Sequence, residues 1–238
     1  MTTLDDQLQR LTPVVEDYLK AIYTIVQKYG QVKTSVLAEH LGLKPSSVTA
    51  MLKTLAELKL VVYTPYYGVE LTPAGERVAL EVVRHHRLIE LYLVEALGYS
   101  WDEVHEEAEV LEHVISEKLE ARIAAHLGYP TVDPHGDPIP ALDGTVLQHP
   151  TERLADLPPG AEARIVRVCD QRAERLRYIA ELGLIPGARV QIAASAPFDG
   201  PLSVRLGDGV HILDRRLART ILVERQEGVL TITNSHPV

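Results

Sequence analysis

Apolar positions along this chain change period several times, and each change marks an element. Val15, Leu19, Ile22 and Ile25 recur at helical spacing behind Thr12-Pro13, and Gly30 follows the last turn. Proline suits the first helical position, where its missing N–H would have no partner anyway, so a helix is expected from 13 to 29 with Thr12 as its N-cap. The segment TSVLAEHLGLKPSSVTAMLKTLAELKLV holds two more helices. Thr34 can cap the first, which ends near Gly42; Pro45 or Ser46 opens the second, which carries Val48, Met51, Leu52, Leu55 and Leu58. Two helices across a short Gly-containing turn form a helix-turn-helix. The run VVYTPYYGVELT then reads as strand, turn, strand, with Pro65 and Gly68 in the loop. Together these elements predict a winged helix-turn-helix.

Thr72-Pro73 repeats the cap logic and starts a long helix, from about 73 to 97, closed by Gly98. Ser100 and Glu103 fit the capping box S-x-x-E and open the next helix, which breaks near Ser116 and lasts until Gly128. Residues 129 to 160 are rich in Pro and Gly and read as loop and linker. Five short β-rich runs follow (ARIVRV, ARVQIAAS, PLSVRL, GVHIL and TILVE) around one helix at about 172 to 182, which suggests a small barrel. The expected fold is therefore mainly α over the N-terminal two-thirds, then a small β-barrel. The expected domains are 1–72 (winged helix-turn-helix), 73–145 (helical), 146–160 (linker), 161–226 (barrel) and 227–238 (tail).

Composition adds modest constraints. The 238 residues are 46% hydrophobic and 24% charged, as expected of a globular protein with a real core. The single cysteine, Cys169, excludes an internal disulfide and fits a reducing cytoplasm. No apolar run approaches the roughly 18 residues of a membrane span, and the N-terminus resembles no signal peptide. The net charge of −9 argues at first against nucleic acid, but its distribution matters more. Residues 1–78 carry eight basic and eight acidic side chains, 79–150 carry four and fourteen, and 151–238 carry twelve and eleven. All the excess acid lies in the middle third.

Within that third, WDEVHEEAEVLEHV gathers two histidines and five glutamates. His105, Glu109, Glu112 and His113 fall within a sector of roughly 100° on one helix side. Val104, Ala108, Leu111 and Ile115 form an apolar stripe beside them, while Val110 and Val114 make the far side apolar. His86 and Glu90 stand one turn apart on the preceding helix, and the short connection through Gly98 to Ser100 should pack the two helices antiparallel. A solvated acidic face and a divalent-cation site both fit this pattern. A cation reverses the repulsion among crowded carboxylates, and deprotonated carboxylates and neutral imidazoles become its ligands. Catalysis has less support. HEEAE lacks the second histidine of H-E-x-x-H, with Glu109 in its place, and no G-x-S-x-G, Walker A or G-x-G-x-x-G motif occurs.

The ordered set EDYLKAIY, KPSSVT in the winged helix, RHHRLIE, VHEEAEVLEHV and HGDPIPALD resembles the diphtheria-toxin-repressor family of metal-activated transcription repressors, and within it the manganese regulators. The resemblance covers about residues 10 to 145, and the barrel is similar to the SH3-like C-terminal domain, akin to ferrous-iron-transport A proteins, of longer members. It implies a primary metal position of Asp17, Glu109, Glu112 and His113, and an ancillary one of His86, Glu90 and His105. Iron-type members place Met where Asp17 stands and Cys where Glu109 stands. Oxygen-rich sites suit Mn²⁺, and Fe²⁺ is the alternative because it lies next to Mn²⁺ in the affinity order. Two positions depart from the pattern. Lys20 stands where manganese regulators without a C-terminal domain have a metal-binding Glu, and Arg172 and Arg175, flanking Glu174, stand where barrel side chains complete the ancillary position.

The resemblance also implies a homodimer that binds a palindromic operator in double-stranded DNA. Pro45, Ser46, Ser47 and Thr49 lie at the start of the recognition helix, Lys33, Lys44 and Lys53 offer phosphate contacts, and Tyr66 and Tyr67 form the wing tip. A bound ion would tie Asp17, in the DNA-binding part, to the acidic helix; without it, repulsion among Asp17, Glu109 and Glu112 is expected to let the two parts move. The competing readings are a winged-helix regulator that senses a small molecule and a metallohydrolase.

Overall fold

The computed structural model describes residues 11–147 and 150–225, which leaves the expected tail and the first ten residues outside it. The described chain divides into two compact units. The first holds the residues up to Ser100, Val104–Asp133 and Pro138–Leu147; the second holds Trp101–Glu103, Pro134–Asp137 and the described residues from 150 onward. Among the described residues no helix is long and apolar enough to cross a membrane.

The first unit begins with helix α1 (Pro13–Tyr29), followed by α2 (Thr34–Leu41) and α3 (Pro45–Glu57). Val15, Leu19, Ile22 and Ile25 of α1 are all buried, as their spacing predicts. Thr12 is the N-cap of α1 as expected, with Pro13 following; its side chain makes no cap bond, and its carbonyl accepts from Val15 and Glu16 N–H at 2.8 and 3.2 Å. Thr34 is the first residue of α2 and not its cap, a place taken by Lys33. On α3, Val48, Leu52 and Leu55 are buried, but Leu58 is exposed because the helix ends before it. Strands β1 (Val61–Thr64) and β2 (Gly68–Leu71) pair antiparallel with Thr64 opposite Gly68, forming the wing. The Val69 N–H also bonds the Val32 carbonyl at 3.0 Å, which ties the wing to the start of the helix-turn-helix.

Helix α4 (Pro73–Leu97) is the spine of this unit. Thr72 caps it, accepting from the Gly75 N–H at 3.2 Å. Val78, Ala79, Leu80 and Val83 join the core beneath the helix-turn-helix and wing. Leu88 and Leu91 pack with Ile123, Ala124 and Ile139, whereas Ile89 and Leu93 pack with Val104 and Ala108. One 25-residue helix, about 37 Å long at 1.5 Å per residue, thus serves three apolar clusters. The acidic helix α5 runs Val104–Leu111, three residues later than the Ser100/Glu103 capping box predicts, because Trp101–Glu103 form a turn. Glu112 and His113 occupy the turn that ends it, with the Glu112 N–H still bonded to the Ala108 carbonyl at 2.9 Å. The expected break follows, and Ser116 caps α6 (Glu117–His126) by accepting from the Leu119 N–H.

The second unit is a six-stranded antiparallel sheet of order β3-β8-β4-β5-β6-β7, with β3 at Glu152–Arg153, β4 at Glu162–Val168, β5 at Arg189–Ser195, β6 at Leu202–Leu206, β7 at Gly209–Leu213 and β8 at Ile221–Arg225. Register shifts on β4 after Ile165 and on β5 after Ile192 bend the sheet around its core, as bulges do. Helix α7 (Ala173–Glu181) buries Leu176 and Ile179 in that core, and a short α8 (Arg215–Ala218) precedes β8. Strand β3 and a single 3₁₀ turn at Leu154–Asp156 correct the expectation that 146–160 is only linker. The pattern concealed them because a two-residue strand has no measurable alternation. The segment Pro134–Asp137 lies along β4: the Val168 N–H bonds the His135 carbonyl at 2.9 Å, and a Cβ on Gly136 would fall 1.9 Å from the Val166 oxygen.

The entry of α4 is equally tight, since a Cβ on Gly75 would sit 2.0 Å from the Leu60 carbonyl oxygen. Backbone cannot yield as a flexible side chain can. Gly75→Ala is expected to cost about 2 kcal/mol or more and to lower the melting temperature, measured by circular dichroism.

Candidate metal centre and DNA-reading surface

Three elements bring charged groups to one place. Helix α1 presents Glu16, Asp17 and Lys20; α4 presents His85, His86 and Glu90; α5 and its closing turn present His105, Glu109, Glu112 and His113. Two groups of donor atoms result, each within 4.8 Å of one another: Asp17, Glu112 and His113, and His86, His105 and Glu109. The expected residues are therefore brought together, but Glu109 groups with the two histidines and not with Asp17. Glu90 adjoins the second group, with Oε1 3.0 Å from His86 Nε2 and 3.5 Å from His105 Nδ1.

Burial makes this an unusual place for charge. Glu112 and Glu90 are each 1% exposed, and His86 is 6% exposed. Transferring a carboxylate from water to such a place is costly unless positive charge or hydrogen bonds replace the lost hydration. For Glu112 both are present. Lys20 Nζ donates to each of its oxygens at 2.8 Å, and His86 Nδ1 contacts Oε2. Lys20 also donates to Glu109 Oε1 at 2.6 Å and stands 3.2 Å from His86 Nδ1. Burial opposes charge on His86, but the hydrogen bonds its ring donates to Glu112 and Glu90 outweigh it and push its pKa up to about 9. Burial likewise raises the Glu109 carboxyl, yet the Lys20 ammonium brings it below its ordinary value. Asp17 is the exception: burial holds its pKa above the ordinary range, against a partial pull from His113.

This arrangement changes one expectation. The carboxylates do not face one another unopposed, because the Lys20 ammonium lies between Glu109 and Glu112. The same side chain ties α1 to the acidic helix. The sequence shows Lys20 as a non-ligand; its place inside the cluster depends on how α1 packs on α4.

Neighbouring groups orient the donors. His113 Nδ1 is 2.5 Å from Glu16 Oε2, which leaves Nε2 facing Asp17 Oδ1 at 3.0 Å and Glu112 Oε1 at 3.4 Å. A carboxylate on one imidazole nitrogen sets the tautomer and frees the other nitrogen to ligate. Sequence reading passed over Glu16. Its signal was available, since Glu16, Asp17 and Lys20 share one side of α1. His85 Nδ1 donates to the Glu112 carbonyl at 3.1 Å and holds that turn in place. A further group, Glu81, His85 and Glu117, also clusters, but His85 Nε2 lies 3.5 Å from Glu120, which Arg84 holds at 2.5 Å. In the second unit, Arg172 and Arg175 both pair with Asp170, at 2.8 and 2.5 Å.

The donor set is carboxylate oxygen and imidazole nitrogen without sulfur, and Glu112 is buried, polar and already held by a cation. Such a set fits a divalent ion that prefers oxygen and nitrogen. Asp17, Glu112 and His113 could hold one ion, and His86, His105 and Glu109 a second.

The candidate DNA-reading residues lie at the surface of the helix-turn-helix and wing. Lys33, Lys44, Pro45, Ser46, Ser47 and Lys53 are exposed, and Thr49 is partly so. Lys44 occupies the cap position of α3, which leaves Ser46 and Ser47 within its first turn, free of capping duty. The Thr49 hydroxyl donates to the Pro45 carbonyl at 2.9 Å, so it offers DNA an acceptor more readily than a donor. Tyr66 is fully exposed at the wing tip, where its φ of 71° turns the chain, and Tyr67 beside it is exposed as well.

Comparison with known proteins agrees with this geometry. Residues 10–69 match the iron dependent repressor N-terminal DNA binding domain, 72–141 the iron dependent repressor metal binding and dimerisation domain, and 152–225 the FeoA domain. The chain is 30% identical over 227 residues to the iron-dependent repressor IdeR of Mycobacterium leprae, across 90% of this chain and 98% of that protein. It is 36% identical over 105 residues to the transcriptional regulator MntR of Geobacillus kaustophilus, across 44% of this chain and 74% of that one. A solved structure, described as a manganese-dependent transcriptional repressor in complex with manganese, superposes with a TM-score of 0.82 at 41% identity, covering 89% of this chain and 100% of its own. A winged helix, a carboxylate–imidazole cluster, an SH3-like FeoA domain and near full-length similarity lead to one conclusion: the chain belongs to the iron-dependent repressor family of metal-dependent, DNA-binding transcriptional repressors.

Proposed function

We propose that this protein is a Mn²⁺-activated homodimeric repressor that binds a palindromic operator in the cytoplasm and controls metal-uptake genes. The observation that carries the choice of metal is the donor set: Asp17 and Glu109 supply oxygen at the two positions where sulfur would favour softer or later ions. The manganese repressor to which the chain is 41% identical supports the same choice. Fe²⁺ is the second reading, favoured by the similarity to the iron-dependent repressor of M. leprae.

A bound divalent cation supplies concentrated positive charge to Asp17, Glu112 and His113, and on the second position to His86, His105 and Glu109. The protein's own groups prepare for this. Glu16 holds the His113 ring with Nε2 toward Asp17 and Glu112, and His85 anchors the backbone of Glu112. Asp17 belongs to the helix that packs on the DNA-binding core, while Glu112 and His113 belong to the acidic helix and its turn. An ion held by Asp17, Glu112 and His113 would therefore join the reading head to the helical part. In a dimer, two recognition helices must enter major grooves about 34 Å apart. Any preference of the ion for the matching orientation raises DNA affinity, and DNA raises metal affinity equally. On DNA, Lys33, Lys44 and Lys53 would meet phosphates, Ser46, Ser47 and Thr49 would lie nearest the base edges, and Tyr66 and Tyr67 would reach the backbone from the wing.

Three outcomes test the proposal. Asp17→Ala is expected to keep the fold and dimer but to lose at least tenfold in Mn²⁺-dependent operator affinity; an unchanged gel shift across a manganese titration contradicts it. Glu109→Cys is expected to shift the activating metal from Mn²⁺ toward Fe²⁺ or Co²⁺ in the same titration. Lys44→Ala is expected to weaken all sequences alike and to lower the slope of log affinity against log salt by about 0.9, read by fluorescence anisotropy.

A further inference from the structure

The Lys20 side chain is the one feature of the site that a metal-binding role does not explain. Its Nζ lies 2.6 Å from Glu109 Oε1 and 2.8 Å from both oxygens of Glu112. Glu109 belongs to one candidate metal group and Glu112 to the other, so the ammonium sits on the border that the two groups share. The side chain is only 16% exposed, and the Glu112 carboxylate is wholly buried. This is an engaged ion pair, unlike an exposed surface pair of little worth.

From this geometry we infer that Lys20 is a tethered competitor ion: it holds the carboxylates of both metal positions in the metal-free protein, and a metal ion loads by displacing it. The inference rests on the metal-site reading above. The physical argument is one of shared acceptors. Lys20 engages both oxygens of Glu112 and His86 engages Oε2 as well, so an incoming cation must compete with the ammonium for the lone pairs and the charge of that carboxylate. Two positive charges a few ångströms apart also repel, which favours withdrawal of the flexible four-carbon stem. An ion wins because it carries two charges and gathers Asp17 and His113 as well, which Lys20 does not bridge.

Two consequences follow from a competitor that belongs to the chain. Without metal, Lys20 links α1 to the acidic helix through a singly charged contact, which an ion bridging Asp17 to Glu112 and His113 would replace. Every metal also loses the same increment of affinity, so Lys20 raises the activating concentration without re-ranking the metals. Selectivity stays with Asp17 and Glu109, and the threshold belongs to Lys20.

The test uses the full-length chain with Lys20→Met, which keeps the length of the stem and removes the charge, and Lys20→Gln as a second neutral variant. Isothermal titration with Mn²⁺ and Co²⁺ and thermal melting with and without metal are measured on each. The expected result is Mn²⁺ affinity tighter by about tenfold or more, equal to about 1.4 kcal/mol, with a similar factor for Co²⁺. The metal-free variants are expected to melt below the wild type, and the gap to narrow when metal is added. A side chain with a merely structural role would instead weaken metal binding when removed. Unchanged or weaker Mn²⁺ affinity in a folded neutral variant overturns the inference, as does tightening for one metal only. If the wild type itself takes up no Mn²⁺, the metal-site reading fails first and this inference falls with it.

Discussion

A buried carboxylate has to be neutralised by something, and Glu112 is the point from which the rest of this site is organised. At 1% exposure it has lost its water. An isolated charge there would protonate or unfold its surroundings. Lys20 arrives from α1, His86 from α4, and His85 fixes the backbone that carries the carboxylate. Each contact crosses from one helix to another. Neutralising one group therefore draws three elements together, and the same acceptors suit a divalent ion.

The architecture places that local demand on the helix that also packs against the winged helix. Helix α4 packs its first half into the core of the winged helix and its second half against α5 and α6. The winged-helix core and two members of the acidic cluster, His86 and Glu90, thus share one helix. A change at the cluster that moves α1 on α4 moves the platform from which the recognition helix projects. Between the helix-turn-helix and the acidic helix, α4 offers a continuous run of packed side chains. Within the cluster, Lys20 and His86 offset the buried charge of Glu112 and Glu90, while Glu106, Glu107 and Glu117 remain at the surface.

Much of this was legible along the chain. The bounds of α1 and α4 follow from Thr-Pro at one end and Gly at the other, because proline and left-handed glycine act within a single turn. The two-residue β3 and the turn at Trp101–Glu103 were not legible, since neither is long enough to carry a period. The site shows the same division. His86, Glu90, His105, Glu109, Glu112 and His113 stand out by spacing on their own helices, whereas Asp17 was assigned only through family resemblance and Glu16 went unnoticed.

What the sequence determined by itself was the kind of protein: a winged helix, an acidic helical middle rich in imidazole, and a small β-barrel, each set by local periodicity and turn chemistry. What only the tertiary structure decided was which charges meet. Lys20 and Glu112 are 92 residues apart, and Glu16 and His113 are 97 apart. Their encounter depends on the angle at which α1 crosses α4 and on where α5 begins. Those are properties of packed side chains summed over several elements, which no single window of sequence contains.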